Sequence, residues 1–272
     1  MAEARVNPEG LLKGRVAVVT GASRGIGEAI AARLAMEGAK VAVSARTAEE
    51  GDSKVPGSLA GTAARIRRAG GEAVAIRADL AAPGDRERLI AEAVAAFGPV
   101  DILVNNAGLN FYVQVPDFGE KRLRLMLEVQ VVAPFHLAQL VLPSMRERRQ
   151  GWIVNISSNA SGHPAQPYRG IHGTTVYGMC KAALERFTTG LASEVHRDGV
   201  AVNVVSPELV ATPGMEFHGL INDAVKHRLQ PVEVIAEAVL RLASGDPKTM
   251  TGRIDRAAPL LEALGVAPAA LI

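Results

Sequence analysis

Short β-branched runs alternate with longer stretches of helical period along most of this chain, and few architectures accommodate that order. The runs are RVAVVT (15–20), KVAVS (40–44), EAVAIR (72–77), DILVN (101–105), GWIVNIS (151–157) and VAVNVVS (200–206). Helical patterns fall near 25–37, 58–69, 85–97, 121–147, 176–197 and 231–243. Strand, helix and strand in succession give a right-handed crossover and a parallel pair. The expected fold class is therefore α/β, a doubly wound parallel sheet with helices on both faces. The strands read as unbroken apolar runs, which suits a sheet covered on both sides. No repeat, low-complexity tract or linker divides the sequence, so residues 1–272 are expected to form a single domain.

Three polar or turn-rich segments, 47–58, 161–175 and 212–230, interrupt the alternation. Each follows the carboxyl end of a strand, where open α/β sheets bind ligands, so they are expected as variable loops near a site. Composition narrows the function. Hydrophobic residues make up 48% and charged residues 21%, which is globular, and the net charge of +2 offers no basic surface for nucleic acid. The basic run at Arg146 to Arg149 ends a helical pattern, where cations suit the macrodipole. A single cysteine, Cys180, allows no internal disulfide and no thiolate cluster for a metal. The first ten residues lack an apolar core, and no apolar run reaches membrane length. A soluble, cytoplasmic protein without membrane or metal is expected.

Directly after the first strand comes TGASRGIG (20–27). Gly21 permits a tight turn, Gly25 lets backbone approach a pyrophosphate, and Gly27 allows close packing of helix on sheet; Ser23 and Ile26 lie within the loop. The helix that follows presents N–H groups and a partial positive charge to phosphates, so a Rossmann-type dinucleotide site is expected here. The second strand ends in Ser44-Ala45-Arg46 and not in the acid that binds the ribose hydroxyls of NAD. Arg46 can fork onto a 2′-phosphate and Arg24 can close from the glycine loop, which favours NADP over NAD. The alternative is that both are solvated surface arginines.

Tyr177 and Lys181, four apart in TTVYGMCKAALERF, share one helix face. A phenol titrating near ~10 becomes a usable acid/base when an ammonium beside it favours the phenolate. With TGASRGIG, NNAG at 105–108 and the serine of NISS, this YGMCK occurs in the order found in short-chain dehydrogenases/reductases, and from about residue 14 to 215 the chain resembles that family in its classical form. The resemblance implies hydride transfer between a nicotinamide and a carbonyl or alcohol carbon. Tyr177 would be the acid/base, Lys181 would lower its pKa and bind the nicotinamide ribose, and Ser158 would orient the substrate oxygen. Ser157 would point to the other face, and Tyr168 is no rival because His172 stands four residues after it. The family's pattern also places Asp79 and Leu80 at the adenine, and Asn106, Ala107 and Gly108 around the cofactor, with Asn105 beside them. Pro207, Val210 and Thr212 would lie along the nicotinamide.

Four departures from the family's pattern stand out. Ser158 and Tyr177 lie further apart than usual, which lengthens the intervening loop. Gln130 replaces the asparagine that helps hold a water linking Lys181 to solvent, and Glu208 replaces a glycine after Pro207. Residues 253–272 lack the common ending and are expected as an atypical C-terminal tail over the cleft or a subunit interface. Leu109, Phe111, Tyr112, Met215 and Phe217 suggest a small-molecule alcohol or carbonyl substrate of moderately apolar character. His136 reads as a packed residue, while His163, His172 and His218 sit in loops. The resemblance further implies a homodimer or homotetramer. Two other readings remain: a nucleotide-binding scaffold with little turnover, and an enoyl reductase, whose relatives space tyrosine and lysine more widely.

Overall fold

The computed structural model describes residues 5–166 and 173–272. Among these, six strands fall where the apolar runs predict them: β1 Val16–Thr20, β2 Lys40–Ala45, β3 Glu72–Arg77, β4 Ile102–Asn105, β5 Gly151–Ile156 and β6 Val200–Ser206. Two short strands, β7 Leu209–Val210 and β8 Leu229–Gln230, pair separately, and β9 Ile254–Arg256 joins the main sheet beside β6. The sheet runs β3-β2-β1-β4-β5-β6-β9, all parallel. Its order reverses between β1 and β4, which opens a crevice at their carboxyl ends.

The period-2 geometry of a strand explains the continuous apolar runs. Ala17 and Val19 enter the cluster on one face, and Val18 between them enters the other. The first face is covered by α1 Gly25–Met36, α2 Leu59–Arg68, α9 Val232–Ser244 and α10 Ala257–Leu264. The second is covered by α3 Pro83–Phe97, α5 Ala133–Arg148 and α6 Thr175–Val195. The C-terminal segment is thus part of the sheet and its core, with Ala257, Leu260 and Leu261 buried. The sequence hid β9 because Ile254-Asp255-Arg256 is short and mostly charged.

The predicted helix over 121–147 is continuous but not uniform. It begins as α4 Glu120–Leu127, widens into a π turn at Glu128–Val132, and resumes as α5. Pro134 supplies the reason. It has no N–H to give the Gln130 carbonyl four residues back, so the ladder must re-register there. By length and composition the run Glu120–Arg148 is apolar enough to cross a membrane, as a core helix packed on a sheet can also be. Its inward residues Leu137, Ala138, Val141 and Met145 pack on the sheet. The 212–230 segment holds two short helices, α7 Pro213–Phe217 and α8 Asp223–Lys226.

α1 and α9 are clamped by a buried ion network. Glu237, fully buried on α9, accepts from Arg33 Nε of α1 at 2.7 Å and from Arg241 Nε at 2.7 Å; Arg33 also reaches Glu37 at 2.7 Å. Removing the carboxylate leaves a buried guanidinium short of its counter-charge. Glu237→Ala is expected to lower the unfolding free energy by about 3–5 kcal/mol, read from the denaturant midpoint. A loss below about 1 kcal/mol would mean that Glu37 and water replace it.

Candidate active site

The crevice between β1 and β4 is closed by side chains that immobilise its walls. Thr20 Oγ1 accepts from the N–H groups of Asn106 (3.0 Å) and Ala107 (3.2 Å) and lies 3.3 Å from the Val104 carbonyl. Asn106 Nδ2 donates to the carbonyls of Thr20 (2.9 Å) and Gly21 (3.2 Å). Asn105 donates to Asn155 at 2.9 Å, and Asn155 to Thr188 of α6 at 2.8 Å. The Asn-Asn pair therefore knits β1, β4, β5 and α6 together, and Thr20 is a partner that the glycine pattern does not reveal.

The glycine loop fits closely into this frame. Gly21 has φ +66°, and a Cβ there would lie 2.9 Å from Ala107 Cα; one on Gly27 would run into the Gly21 carbonyl oxygen. Both positions leave no room for a side chain. α1 starts at Gly25; the Glu28 carboxylate accepts from the Gly25 N–H, and the cap residue Arg24 makes no capping bond to the rest of the first turn. That is the cradle a pyrophosphate needs. Ser23 is buried in the loop, and Ile26 packs on the core. A Cβ on Gly25 would meet Thr212 at 3.2 Å, so the 207–212 segment closes onto the loop. Thr212 Oγ1 caps α7 by accepting from Met215 N–H at 3.3 Å, which leaves its own proton free to donate. Val210 is buried, Pro207 is half-buried, and the Glu208 carboxylate accepts from Asn159 at 2.8 Å.

At the far end of the crevice, Arg24, Arg46 and Arg77 line one cavity of about 360 Å³ with Thr47, Asp52 and Ser53. Arg24 is pre-set by the loop after β2, donating to the carbonyls of Pro56 and Gly57 at 2.8 Å each. Arg46 is exposed, and its carbonyl accepts from Arg77 Nε at 3.2 Å. Sequence reasoning missed Arg77, although it sits at the end of β3 opposite Ala45 in the register. Asp79 caps a turn by accepting from Ala81 N–H at 3.0 Å and lines a neighbouring cavity with Arg46 and Arg77, while Leu80 is buried beside it.

The carboxyl end of β5 and the first turns of α6 bring Ser158, Tyr177 and Lys181 together. Tyr177 is hydrogen-bonded to Ser158. Lys181 Nζ lies 5.5 Å from the Tyr177 ring centroid and donates to the Ile156 carbonyl at 2.9 Å. Ser158 Oγ accepts from Ala160 N–H at 3.2 Å, and Ser157 faces away, its hydroxyl on Glu185 at 2.6 Å. Gln130 is buried in the π turn and donates to the Leu109 carbonyl at 3.1 Å; its buried Oε1 has no partner among the described residues. A Cβ on Gly108 would lie 3.2 Å from that oxygen and 3.7 Å from Lys181 Nζ. Leu109 and Phe111 pack with Tyr177 in a small apolar cluster, whereas Tyr112 and Phe217 are exposed and Met215 is half-buried. His163 and His218 are exposed, and His136 is half-buried on α5; Tyr168 and His172 lie outside the described residues.

Residues 15–219 match the family model described as short chain dehydrogenase. The chain belongs to the short-chain dehydrogenase/reductase family. Over 250 residues it is 36% identical to the short-chain reductase protein NovJ of Streptomyces niveus, covering 87% of this chain and 90% of that protein. It is 32% identical over 252 residues to a 3-oxoacyl-[acyl-carrier-protein] reductase, FabG, of Haemophilus influenzae, covering 89% and 95%. A metagenomic short-chain oxidoreductase solved in complex with NADP superposes with a TM-score of 0.72 at 30% identity, covering 90% of this chain and 98% of that one. This dehydrogenase is accordingly an NAD(P)-dependent oxidoreductase.

Burial governs the protons at the reacting end of this dehydrogenase. It pushes the Tyr177 phenol up to about 12; the hydrogen bond from Ser158 opposes it, and Tyr112 and Cys180 add to it. Burial pushes the Lys181 ammonium down to about 8, opposed by Cys180 and Glu185. The expected lowering of the tyrosine by the lysine does not emerge; desolvation is the largest influence on the phenol, and only Ser158 lowers it. Near neutral pH the tyrosine is a neutral donor and the lysine largely a cation.

The folded lysine releases its proton at about 8, and the unfolded one near the ordinary 10.5. Across that window the unfolded chain binds more protons, so stability from this group rises with pH. The opposing contribution of Tyr177 begins only above its ordinary 10.0. Lys181→Met removes the ammonium and keeps the length. The stability of wild type relative to this variant is expected to climb between pH 7 and pH 10 by on the order of 2–3 kcal/mol in denaturant titrations. A flat difference would mean that the lysine titrates normally.

Proposed function

We propose that this dehydrogenase is NADP-preferring and interconverts a carbonyl and an alcohol on a moderately apolar small molecule, with Tyr177 as acid/base. The observation that carries this reading is the hydrogen-bonded Ser158–Tyr177 pair with Lys181 behind it, at the same end of the sheet as the glycine cradle. The Haemophilus influenzae relative, named a 3-oxoacyl reductase, and the solved neighbour with NADP support it. Gly21, Ser23, Gly25, Ile26 and Gly27 would hold the pyrophosphate, and Asp79 and Leu80 the adenine. Asn106, Ala107, Gly108, Pro207, Val210 and Thr212 would border the nicotinamide, and Lys181 with Tyr177 its ribose. When bound, the dihydronicotinamide supplies the hydride.

The chain's own groups do the rest. Ser158 Oγ accepts from Ala160 N–H and gives its proton to Tyr177, so a carbonyl oxygen placed between the two would take over that proton. Tyr177 then gives that oxygen a proton as negative charge develops, and in the reverse direction takes it back. Lys181 steadies the phenolate so formed. The unpartnered Gln130 Oε1 lies where it can hold a water that returns a proton through Lys181.

The test is turnover of NADPH against a panel of ketones and aldehydes, followed by loss of its absorbance. Tyr177→Phe should cut turnover by about 10²–10⁴. Gln130→Asn, which restores the shorter amide, should change it further without touching cofactor affinity. Tight NADPH binding with no turnover on any carbonyl would favour the scaffold reading, and turnover confined to C=C bonds the enoyl reductase.

For the cofactor preference, Arg46→Ala should raise KM for NADPH at least tenfold and leave KM for NADH nearly unchanged, because a charge-assisted fork to the 2′-phosphate contributes about 1.5–3 kcal/mol. Equal effects on both cofactors would remove Arg46 from that role.

The exposed apolar residues Val132, Phe135 and Met179, with the Phe135–Phe187 ring contact at 5.8 Å, give the π turn, α5 and α6 an apolar surface suited to a second copy of the chain. Phe135→Asp is expected to shift the sedimentation-equilibrium mass from an oligomer towards the monomer. A monomeric wild type would refute this part.

A further inference from the structure

We infer that Glu185 is a positioning residue that fixes Ser158 against Tyr177 by gripping the hydroxyls on either side of it. This rests on the reading of Ser158 given above. One carboxylate oxygen, Oε1, receives Ser157 Oγ at 2.6 Å and Ser161 Oγ at 2.5 Å. Ser158 is the cap of the 3₁₀ turn Asn159–Ser161, so both ends of its short backbone segment are tied to one anchor. Ser161 Oγ also lies 2.8 Å from the Ser158 carbonyl, but its single proton goes to the stronger, charged acceptor. Two hydroxyls converging on one atom call for an acceptor with two lone pairs there, which a carboxyl oxygen offers.

The anchor's place in the chain matters as much as its charge. Tyr177, Lys181 and Glu185 follow one another at intervals of four on α6. They therefore form a stripe on one helix face, one turn apart. The helix that carries the acid/base and its ammonium thus also carries the brace for the third group, and a rigid element sets the distance among all three. Without the brace, Ser158 Oγ would keep only its bond to Tyr177 and the contact from Ala160 N–H, which lies inside the turn itself.

Glu185→Ala should lower kcat by about 10²-fold, the loss typical of a reacting group displaced by ~1 Å, with KM for NADPH unchanged. The pair Ser157→Ala/Ser161→Ala, which removes the same bonds from the other end, should do likewise. Glu185→Gln keeps an acceptor oxygen and should recover most of the rate. In a Ser158→Ala background the Glu185→Ala loss should vanish, since there is no hydroxyl left to position. Additive losses, or a lowered Tm with kcat intact, would overturn the inference. If Ser158→Ala itself leaves turnover unchanged, the role given to Ser158 fails, and the brace is judged from the crystal structure of Glu185→Ala. A displaced 157–161 turn there supports it, and an unmoved Ser158 overturns it.

Discussion

The reversal of strand order between β1 and β4 is the constraint on which the rest of the site depends. It separates the two chain segments that leave the sheet there, and the gap has to be bridged before anything can bind in it. Thr20 and Asn106 do this with four hydrogen bonds of 2.9–3.2 Å across the reversal. Once the gap is fixed, the glycine loop has no slack, because the first and third glycines already touch backbone or the Asn106 amide. The crevice is thus built before ligand arrives, and binding spends little on ordering it.

Much of this was legible in the residues. The alternation of apolar runs and helical periods fixes a doubly wound sheet because each strand needs cover on both faces, and six of its strands follow from that alone. The glycine loop, Ser158, Tyr177 and Lys181 stand out because their residue types have few substitutes in turn geometry or proton chemistry. What stayed hidden depends on neighbours distant in sequence. Arg77 becomes a companion of Arg24 and Arg46 only through the β2–β3 register. β9 carries no apolar signal, and its pairing is set by β6. The sign of the tyrosine shift depends on how much water reaches it, which spacing does not report.

The π turn shows how a small local rule shapes the site. Pro134 withholds one N–H, the helix widens by a residue, and Gln130 is left facing Gly108 and Lys181 with an oxygen unpaired. Arg86, buried on α3, pairs with Glu128 of the same turn and donates to the Leu80 carbonyl at 2.8 Å. The distorted turn is therefore held from outside as well as caused from within.

The C-terminal strand gives the chain end a role in solubility. β6 is buried along all seven residues and would, without β9, present an apolar edge of free N–H and C=O groups, a template for aggregation. β9 caps it with three residues, and Arg253 and Asp255, paired at 2.6 Å, place charge at that margin. A truncation or fusion near residue 253 would therefore act first on how the sheet avoids its own kind, and only afterwards on the crevice at the carboxyl ends of its strands.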